Sequence, residues 1–323
     1  MKETASVHNS TDVQNATTTE NAATQNTAEG NSATGGWFAE RAGLTGTVAV
    51  ITGGAGGLGE AIVRDLATNG VRPAVLDIDR KAVDALDASL RESGVDALVR
   101  HGDARDPETL EALFGAVDER WGRLDILVNI VGGTFRSPFV DTKPKGWDAL
   151  LRTNLSHVLH ACSLAVPRMQ NGGRGGSIVN LTTIEAHRAA PGFAVYSAAK
   201  AAVEQFARTL AVEVAPDGIR VNNVAPDFVP TPNLEQLAVG EHALADPRSA
   251  GIAIPMGRVG HVHDVSNCVV FLASGLSSFI TGTTLHPDGG TLASSGWFNW
   301  PGTGWANYAP DSVLVRASSV LGE

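Results

Sequence analysis

TVAVITGGAGGLGEAIVRDLATNG, residues 47–70, decides the fold. Its first part is a short β-branched apolar run that ends in glycines. Its second part carries Leu58, Ile62 and Leu66 at helical spacing, with Gly70 as the stop. A strand therefore runs through a glycine turn into a helix, and Thr52-Gly53-x-x-x-Gly57-x-Gly59 occupies the turn. Glycine permits positive φ and close approach of backbone to a ligand. A pyrophosphate can rest on the N–H groups exposed at the helix N-terminus. Glycine-rich turns are common, so the weight comes from this turn's place between a strand and a helix.

The same alternation continues outward. PAVLDID (73–79), ALVRHGDA (97–104), LDILVNIVG (124–132), GGSIVNLTT (175–183), IRVNNVAP (219–226) and TTLHPDGG (283–290) read as further strands. VDALDASLRESG (83–94), DPETLEALFGAVDERWG (106–122), a long WDALLRTNLSHVLHACSLAVPRM (147–169) and YSAAKAAVEQFARTLAVEV (196–214) read as helices. Asp106 caps one of them, with Pro107 in its first turn. Strands alternating with helices of this length predict an α/β fold, a parallel sheet covered on both faces. One domain over 37–290 accounts for them.

The ends differ. Residues 1–36 are rich in Thr, Asn, Ala and Ser, carry almost no large apolar residues and predict a disordered tail. Lys2 is followed at once by Glu3 and no apolar core comes, so the stretch does not read as a signal peptide and cytoplasm is the default compartment. Residues 291–323 form an aromatic extension with Trp297, Trp300 and Trp305, half of the six tryptophans. Such a segment is costly to leave in water, so it should pack on its own core or on a neighbouring subunit. A net charge of −10 disfavours nucleic acid as a partner. No run of ~20 apolar residues predicts a membrane span. Cys162 and Cys268 are far apart, which argues against a disulfide framework or a zinc site. His261-x-His263-Asp264 lacks further ligands and is read as no metal site.

Asp77, at the end of the second strand, can accept hydrogen bonds from both adenosine ribose hydroxyls and would repel a 2′-phosphate, which favours NAD over NADP. No Lys or Arg lies in the glycine loop. Asp79 competes for this role but is better placed to cap the next helix; Arg80 and Lys81 read as a solvated helix start. Tyr196 and Lys200, at i and i+4, share a helix face. A phenol titrates near 10 and is a poor base at neutral pH. An adjacent ammonium would lower that value and let Tyr196 take a proton from an alcohol.

Together these residues resemble the short-chain dehydrogenase/reductase family. The resemblance runs in order over roughly 44–290: TGGAGGLG (52–59), Asp77, Asp103, Asn129 in VNIVGG, Asn154 in RTNLS, IVNLTT (178–183), YSAAK (196–200), VNNVAPDFVPTP (221–232) and a closing GRVG…DV…FLAS…ITG…DGG. It implies a Rossmann-type doubly wound parallel sheet and reversible alcohol–carbonyl oxidoreduction. It also implies catalytic roles for Tyr196, Lys200, Asn154 and Thr183. Gly53, Gly57, Leu58, Gly59, Asp77, Asp103, Ala104, Asn129, Val229 and Thr231, with Tyr196 and Lys200, are implied to bind the cofactor. A homotetramer or homodimer is implied as well; helices 147–169 and 197–214 are the expected interface, since small side chains let helices approach closely.

Four positions depart from the family pattern. Thr183 stands where the family usually has serine; it keeps the hydroxyl but its methyl narrows the pocket. Ile130-Val131 replaces Asn-Ala after the fourth strand, and Asp227 replaces a glycine after Pro226. Phe135, Glu185, His187, Phe193 and Phe228 flank the expected substrate cleft, and 233–257 is long enough for a helical lid. An apolar pocket suits a bulky secondary alcohol such as a hydroxysteroid, terpenoid or aromatic alcohol, with its ketone as product. A 3-oxoacyl-thioester reductase using NAD(P)H is the alternative. A dinucleotide-binding protein without turnover is a third reading, disfavoured by Tyr196, Lys200 and Asn154.

Overall fold

The structure, a computed structural model, describes residues 36–231, 247–311 and 313–314. The predicted tail lies outside the described residues except for Gly36, as do 233–246 of the predicted lid. The helices are α1 (Trp37–Ala42), α2 (Gly57–Thr68), α3 (Arg80–Glu92), α4 (Pro107–Trp121), α5 (Pro144–Leu151), α6 (His157–Gly172), α7 (Ala194–Val214), α8 (Pro247–Ala253), α9 (Val262–Ala273) and α10 (Thr291–Ser294). The strands are β1 (Val48–Thr52), β2 (Arg72–Asp77), β3 (Leu98–His101), β4 (Ile126–Asn129), β5 (Gly176–Leu181), β6 (Ile219–Val224), β7 (Thr284–Leu285), β8 (Phe298–Trp300) and β9 (Gly304–Ala306).

β1 to β7 form one sheet in the order β3-β2-β1-β4-β5-β6-β7, with every neighbouring pair parallel. This is the doubly wound Rossmann-type sheet that the alternation predicts. β1 is buried along its whole length, and its side chains alternate between two cores. Val48 and Val50 join the core that includes Phe114 of α4, Val158 of α6 and Val203 of α7. Ala49 and Ile51 join the core that includes Ile62 of α2, Leu86 of α3 and Val269 of α9. Each large aliphatic or aromatic side chain buried this way contributes roughly 1.5–3 kcal/mol of transfer free energy. β1 is flanked by β2 and β4, so the winding reverses there and opens a crevice at the carboxyl ends of the strands.

Local capping follows the sequence. The Asp106 carboxylate accepts from Thr109 N–H, and Asp79 accepts from the N–H groups of Lys81 and Ala82. The predicted helix over 147–169 is not one α-helix. Residues 152–156 form a π-helical turn between α5 and α6. Its cause lies in Asn154, whose Nδ2 donates to Leu150 O at 2.9 Å and to Gly133 O at 2.8 Å, while Oδ1 accepts from Gly133 N at 3.1 Å. A side chain that takes backbone partners this way widens the turn. β7 is two residues long, against the eight-residue run read from sequence, because Asp288 turns the chain by accepting from Gly290 N and Leu292 N.

The aromatic extension divides its residues. β8 and β9 form an antiparallel hairpin, with Ala306 buried and Trp300 half-buried. Trp297, Trp305 and Tyr308 are exposed. Among the described residues, no helix is long and apolar enough to cross a membrane.

Candidate active site

The crevice holds a cavity of about 680 Å³ lined by the glycine loop, Asp77, Asp103, Gly132 and Thr231. That volume is in the range of small-molecule and cofactor sites. Gly53 and Gly57 have φ of +74° and +53°, which side-chain-bearing residues rarely adopt. Gly59 is required for a different reason: a Cβ there would lie 2.0 Å from Gly53 O. α2 starts at Gly57 with no side-chain cap at Gly56, so its N-terminal end is left for an anionic group. Leu58 also lines this cavity.

The Asp77 carboxyl is held at its rim, accepting from Ala55 N at 2.9 Å and Asp79 N at 3.0 Å. Asp103 lines the cavity too, but Arg105 grips both of its oxygens, Nε to Oδ1 at 2.8 Å and Nη2 to Oδ2 at 2.8 Å. Those hydrogen bonds hold the Asp103 carboxyl below its ordinary value. Ala104 is buried beside it. Two cavity-lining cations escaped the sequence reading. Arg105 is one; its signal was the Asp-x-Arg spacing. The other is Arg64 of α2, which pairs with Glu60 at 2.8 Å and donates to Ser89 Oγ at 3.0 Å.

Asn129 does not turn its side chain to the cavity. Its Nδ2 donates to Asn180 Oδ1 at 2.9 Å, Asn180 Nδ2 donates to Asn223 Oδ1 at 3.2 Å, and Asn223 Nδ2 donates to Thr284 Oγ1 at 3.2 Å. These residues are register partners across β4, β5, β6 and β7. The cofactor role assigned to Asn129 therefore does not extend to its amide, because sheet register spends that group on the next strand. The Val229 side chain is likewise buried, packed where a Cβ on Gly260 would lie 2.7 Å from its Cγ2. Thr231 faces the cavity opposite Gly57.

The four predicted catalytic residues come from α7, the end of β5 and the π turn. The Thr183 hydroxyl is close enough to the Tyr196 phenol to favour its charged form, and Thr183 Oγ1 accepts from Glu185 N at 3.3 Å. Lys200 is buried, and its Nζ donates to Leu181 O at 2.8 Å. Gly132 lets the groups converge, since a Cβ there would lie 3.2 Å from Lys200 Nζ and 3.3 Å from Asn154 Oδ1. The expected electrostatics are corrected here. Burial pushes the Tyr196 phenol up to about 12; the Thr183 hydrogen bond opposes this and the Glu185 charge adds to it. Burial lowers the Lys200 ammonium to about 8. The Lys200 ammonium hydrogen-bonds the Leu181 carbonyl.

The predicted substrate residues separate. Arg188 lies between Glu185, at 2.7 Å, and Asp227, at 3.3 Å, so Asp227 joins a charged wall beside Tyr196. Burial raises the Asp227 carboxyl, with Arg188 opposing it. Phe228 lines a neighbouring cavity of about 310 Å³ with Ile254, Met256 and His286. Phe135 and Phe193 meet in a separate small hollow. His187 does not face the cleft: its Nε2 lies 2.9 Å from Glu204 Oε2, a buried carboxyl of α7. His261 and Asp264 form the capping box of α9, and His263 Nδ1 meets Asp65 Oδ2 at 2.9 Å.

A phenol and a threonine hydroxyl, beside a cleft large enough for a dinucleotide, can exchange a proton with a substrate oxygen. A family model described as enoyl-(acyl carrier protein) reductase matches residues 53–291. The chain is 36% identical over 253 residues to a 3-oxoacyl-(acyl-carrier-protein) reductase FabG of Haemophilus influenzae, spanning 78% of this chain and 100% of that one. It is 35% identical over 256 residues to a 3beta-hydroxysteroid dehydrogenase 1 of Eggerthella lenta, spanning 79% and 97%. A crystal structure of a gluconate 5-dehydrogenase from Burkholderia cenocepacia, in complex with NADP and tartrate, is similar with a TM-score of 0.71 and 30% identity, over 77% of this chain and 96% of that one. The matched span takes in the glycine loop, Asn154, Thr183, Tyr196 and Lys200, and the chain belongs to the short-chain dehydrogenase/reductase family.

Proposed function

We propose that the chain is an NAD-dependent oxidoreductase that interconverts a bulky secondary alcohol and its ketone, with Tyr196 as acid and base. The observation that carries this is the convergence of Tyr196, Thr183 and Lys200 beside Gly132, which lines the glycine-loop cavity. The cavity fits the dinucleotide: Gly59 admits no Cβ, Gly57 has positive φ, and the uncapped start of α2 faces the space where a pyrophosphate would lie. A bound nicotinamide supplies or receives the hydride. Thr183 holds the substrate oxygen, and Tyr196 gives its proton to that oxygen or takes one from it. Lys200 is pinned by Leu181 O beside Gly132, and Asn154 ties the π turn to Gly133.

Support for NAD is the Asp77 carboxyl at the cavity rim, together with the pairing of Arg64 by Glu60 and of Arg105 by Asp103. Wild-type kcat/KM is expected to favour NAD+ over NADP+ by on the order of 100-fold, since like-charge juxtaposition costs several kcal/mol. Asp77→Ala should remove most of that preference. Steady-state kinetics with both cofactors checks this, and a wild-type preference for NADP+ overturns it.

The substrate reading rests on the 310 Å³ cavity, where Phe228, Ile254 and Met256 supply apolar lining beside the charged Asp227, Arg258 and Asp288. The charged wall of Glu185, Arg188 and Asp227 leaves Arg188 held by two carboxylates, which gives an anionic acyl carrier little to bind. The 3-oxoacyl-thioester reductase reading is kept because a relative carries that name. A panel of hydroxysteroid, terpenoid and aromatic secondary alcohols, run beside a 3-oxoacyl thioester, separates the two.

The same proposal includes a homodimer or homotetramer through the outer faces of α6 and α7, where Leu159 and Val212 stand exposed. Light scattering on the full chain is expected to return two or four chains per particle, and a monomer at micromolar concentration counts against it.

A further inference from the structure

Glu204 is 2% exposed, a carboxyl in the packed face of α7. It follows Tyr196 and Lys200 by eight and four residues, so the three side chains lie on one helix face. The end of β5 meets that face at three successive residues. Lys200 Nζ donates to Leu181 O at 2.8 Å, Thr182 Oγ1 donates to Glu204 Oε1 at 2.9 Å, and the Thr183 hydroxyl is close enough to the Tyr196 phenol to favour its charged form. The chain then makes a short turn over Ile184–Ala186 and returns. At the far end of that turn, His187 Nε2 lies 3.0 Å from Glu204 Oε1 and 2.9 Å from Oε2.

One buried carboxyl thus holds both ends of the turn, residue 182 and residue 187. The turn carries Thr183 and Glu185 between them. Its free movement would shift the Thr183 hydroxyl relative to the phenol, and displacements of about 1 Å at reacting groups cost on the order of 100-fold in rate. Two further groups face the carboxyl. Arg208 Nη2 lies 3.5 Å from Oε2, and the His286 ring packs edge-on to His187 with centroids 4.7 Å apart.

We infer that Glu204 is a positioning residue: through Thr182 and His187 it closes the turn after β5 and so sets the Thr183 hydroxyl against Tyr196. The inference rests on the reading of Thr183 and Tyr196 as the reacting pair. It needs no new chemistry, since the carboxyl touches neither substrate nor cofactor.

The test uses the full chain with NAD+ and the secondary alcohol selected by the panel above. Glu204→Leu is expected to lower kcat about 30–100-fold while the KM for NAD+ stays within about twofold. In a Thr183→Ala background the same substitution should cost almost nothing further, because both act on one hydroxyl. Full additivity overturns the inference. If Glu204→Leu does not fold, His187→Leu takes its place: it should lower kcat in the same way, and His187→Gln, which keeps an N–H donor, should restore most of the loss. Hydrogen exchange gives a readout that needs no turnover. The amides of Glu185, Ala186 and His187 should exchange at least about tenfold faster in the Leu variant, with β5 and α7 unchanged. Unchanged exchange there overturns the inference. If no alcohol is turned over by the wild type, the oxidoreductase reading fails while the exchange result still decides whether Glu204 holds the turn.

Discussion

Tyr196→Phe loses turnover by about 1,000-fold while binding NAD+ as the wild type does. A positioned general acid–base is worth roughly 100- to 10,000-fold, and the proposed function gives Tyr196 that role. The ring is kept, so packing is kept, and only the hydroxyl is removed. Cofactor affinity read from tryptophan quenching should be unchanged within about twofold. Retention of more than a tenth of wild-type turnover would sink the assignment. The pH profile adds a sign. Burial holds the phenol up to about 12, so at neutral pH it is protonated and ready to donate. Ketone reduction should therefore be near-independent of pH through neutrality. Alcohol oxidation needs the deprotonated form, whose population rises with pH, so its rate should climb from about pH 7 to about pH 10. A flat oxidation profile across that window contradicts a buried phenol as the base.

Gly59→Ala is the second large effect, and it acts on both stability and binding. The new Cβ would sit 2.0 Å from Gly53 O and 2.8 Å from Gly54 Cα. Those atoms are backbone of the strand-to-helix turn and have no rotamer to escape into. Overpacking a close-packed site costs typically about 1–3 kcal/mol, and a backbone clash belongs at or above the upper end. The turn must open to relieve it, so NAD+ affinity should fall at least about 100-fold. Gly115→Ala in α4 is the control: nothing lies within 4 Å of a Cβ there, and helix propensity should raise stability by about 0.5–1 kcal/mol. Thermal unfolding and NAD+ titration of the two variants check the pair of effects. Equal stabilities would overturn the steric argument.

Much of the fold was legible because it is written in neighbouring residues. β1 is five buried residues ahead of a glycine with positive φ, and α4 begins where Asp106 and Pro107 say it should. Asp79 caps α3, which left Asp77 for the cavity rim. The α-helical reading of 147–169 failed at Asn154. An asparagine inside an amphipathic pattern looks like any other polar position until Gly133 is brought to it across 21 residues of chain.

The site was legible in residue type and less so in partnership. Tyr196 and Lys200 share a helix face by spacing alone, but neither the burial of the phenol nor the partner of the ammonium was legible there. Its acceptor is the carbonyl of Leu181, 19 residues back, and burial raises the phenol instead. Asn129 seemed free to serve a cofactor, and the register of β4 on β5 gave its amide to Asn180. Glu204 carried a faint signal as an acid four residues past Lys200 in a packed face. Nothing local linked it to His187.

The sequence by itself determined the order of strands and helices, the glycine loop and the identity of the chemical groups, because φ preferences, caps and hydrophobic period act within a few residues. The tertiary structure alone decided which carbonyl receives Lys200, which strand receives Asn129, and which carboxyl holds His187. These are contacts across 17 to 51 residues. They exist only once the sheet register and the packing of α7 bring distant side chains together, and burial then favours a partner for most of the polar groups it encloses.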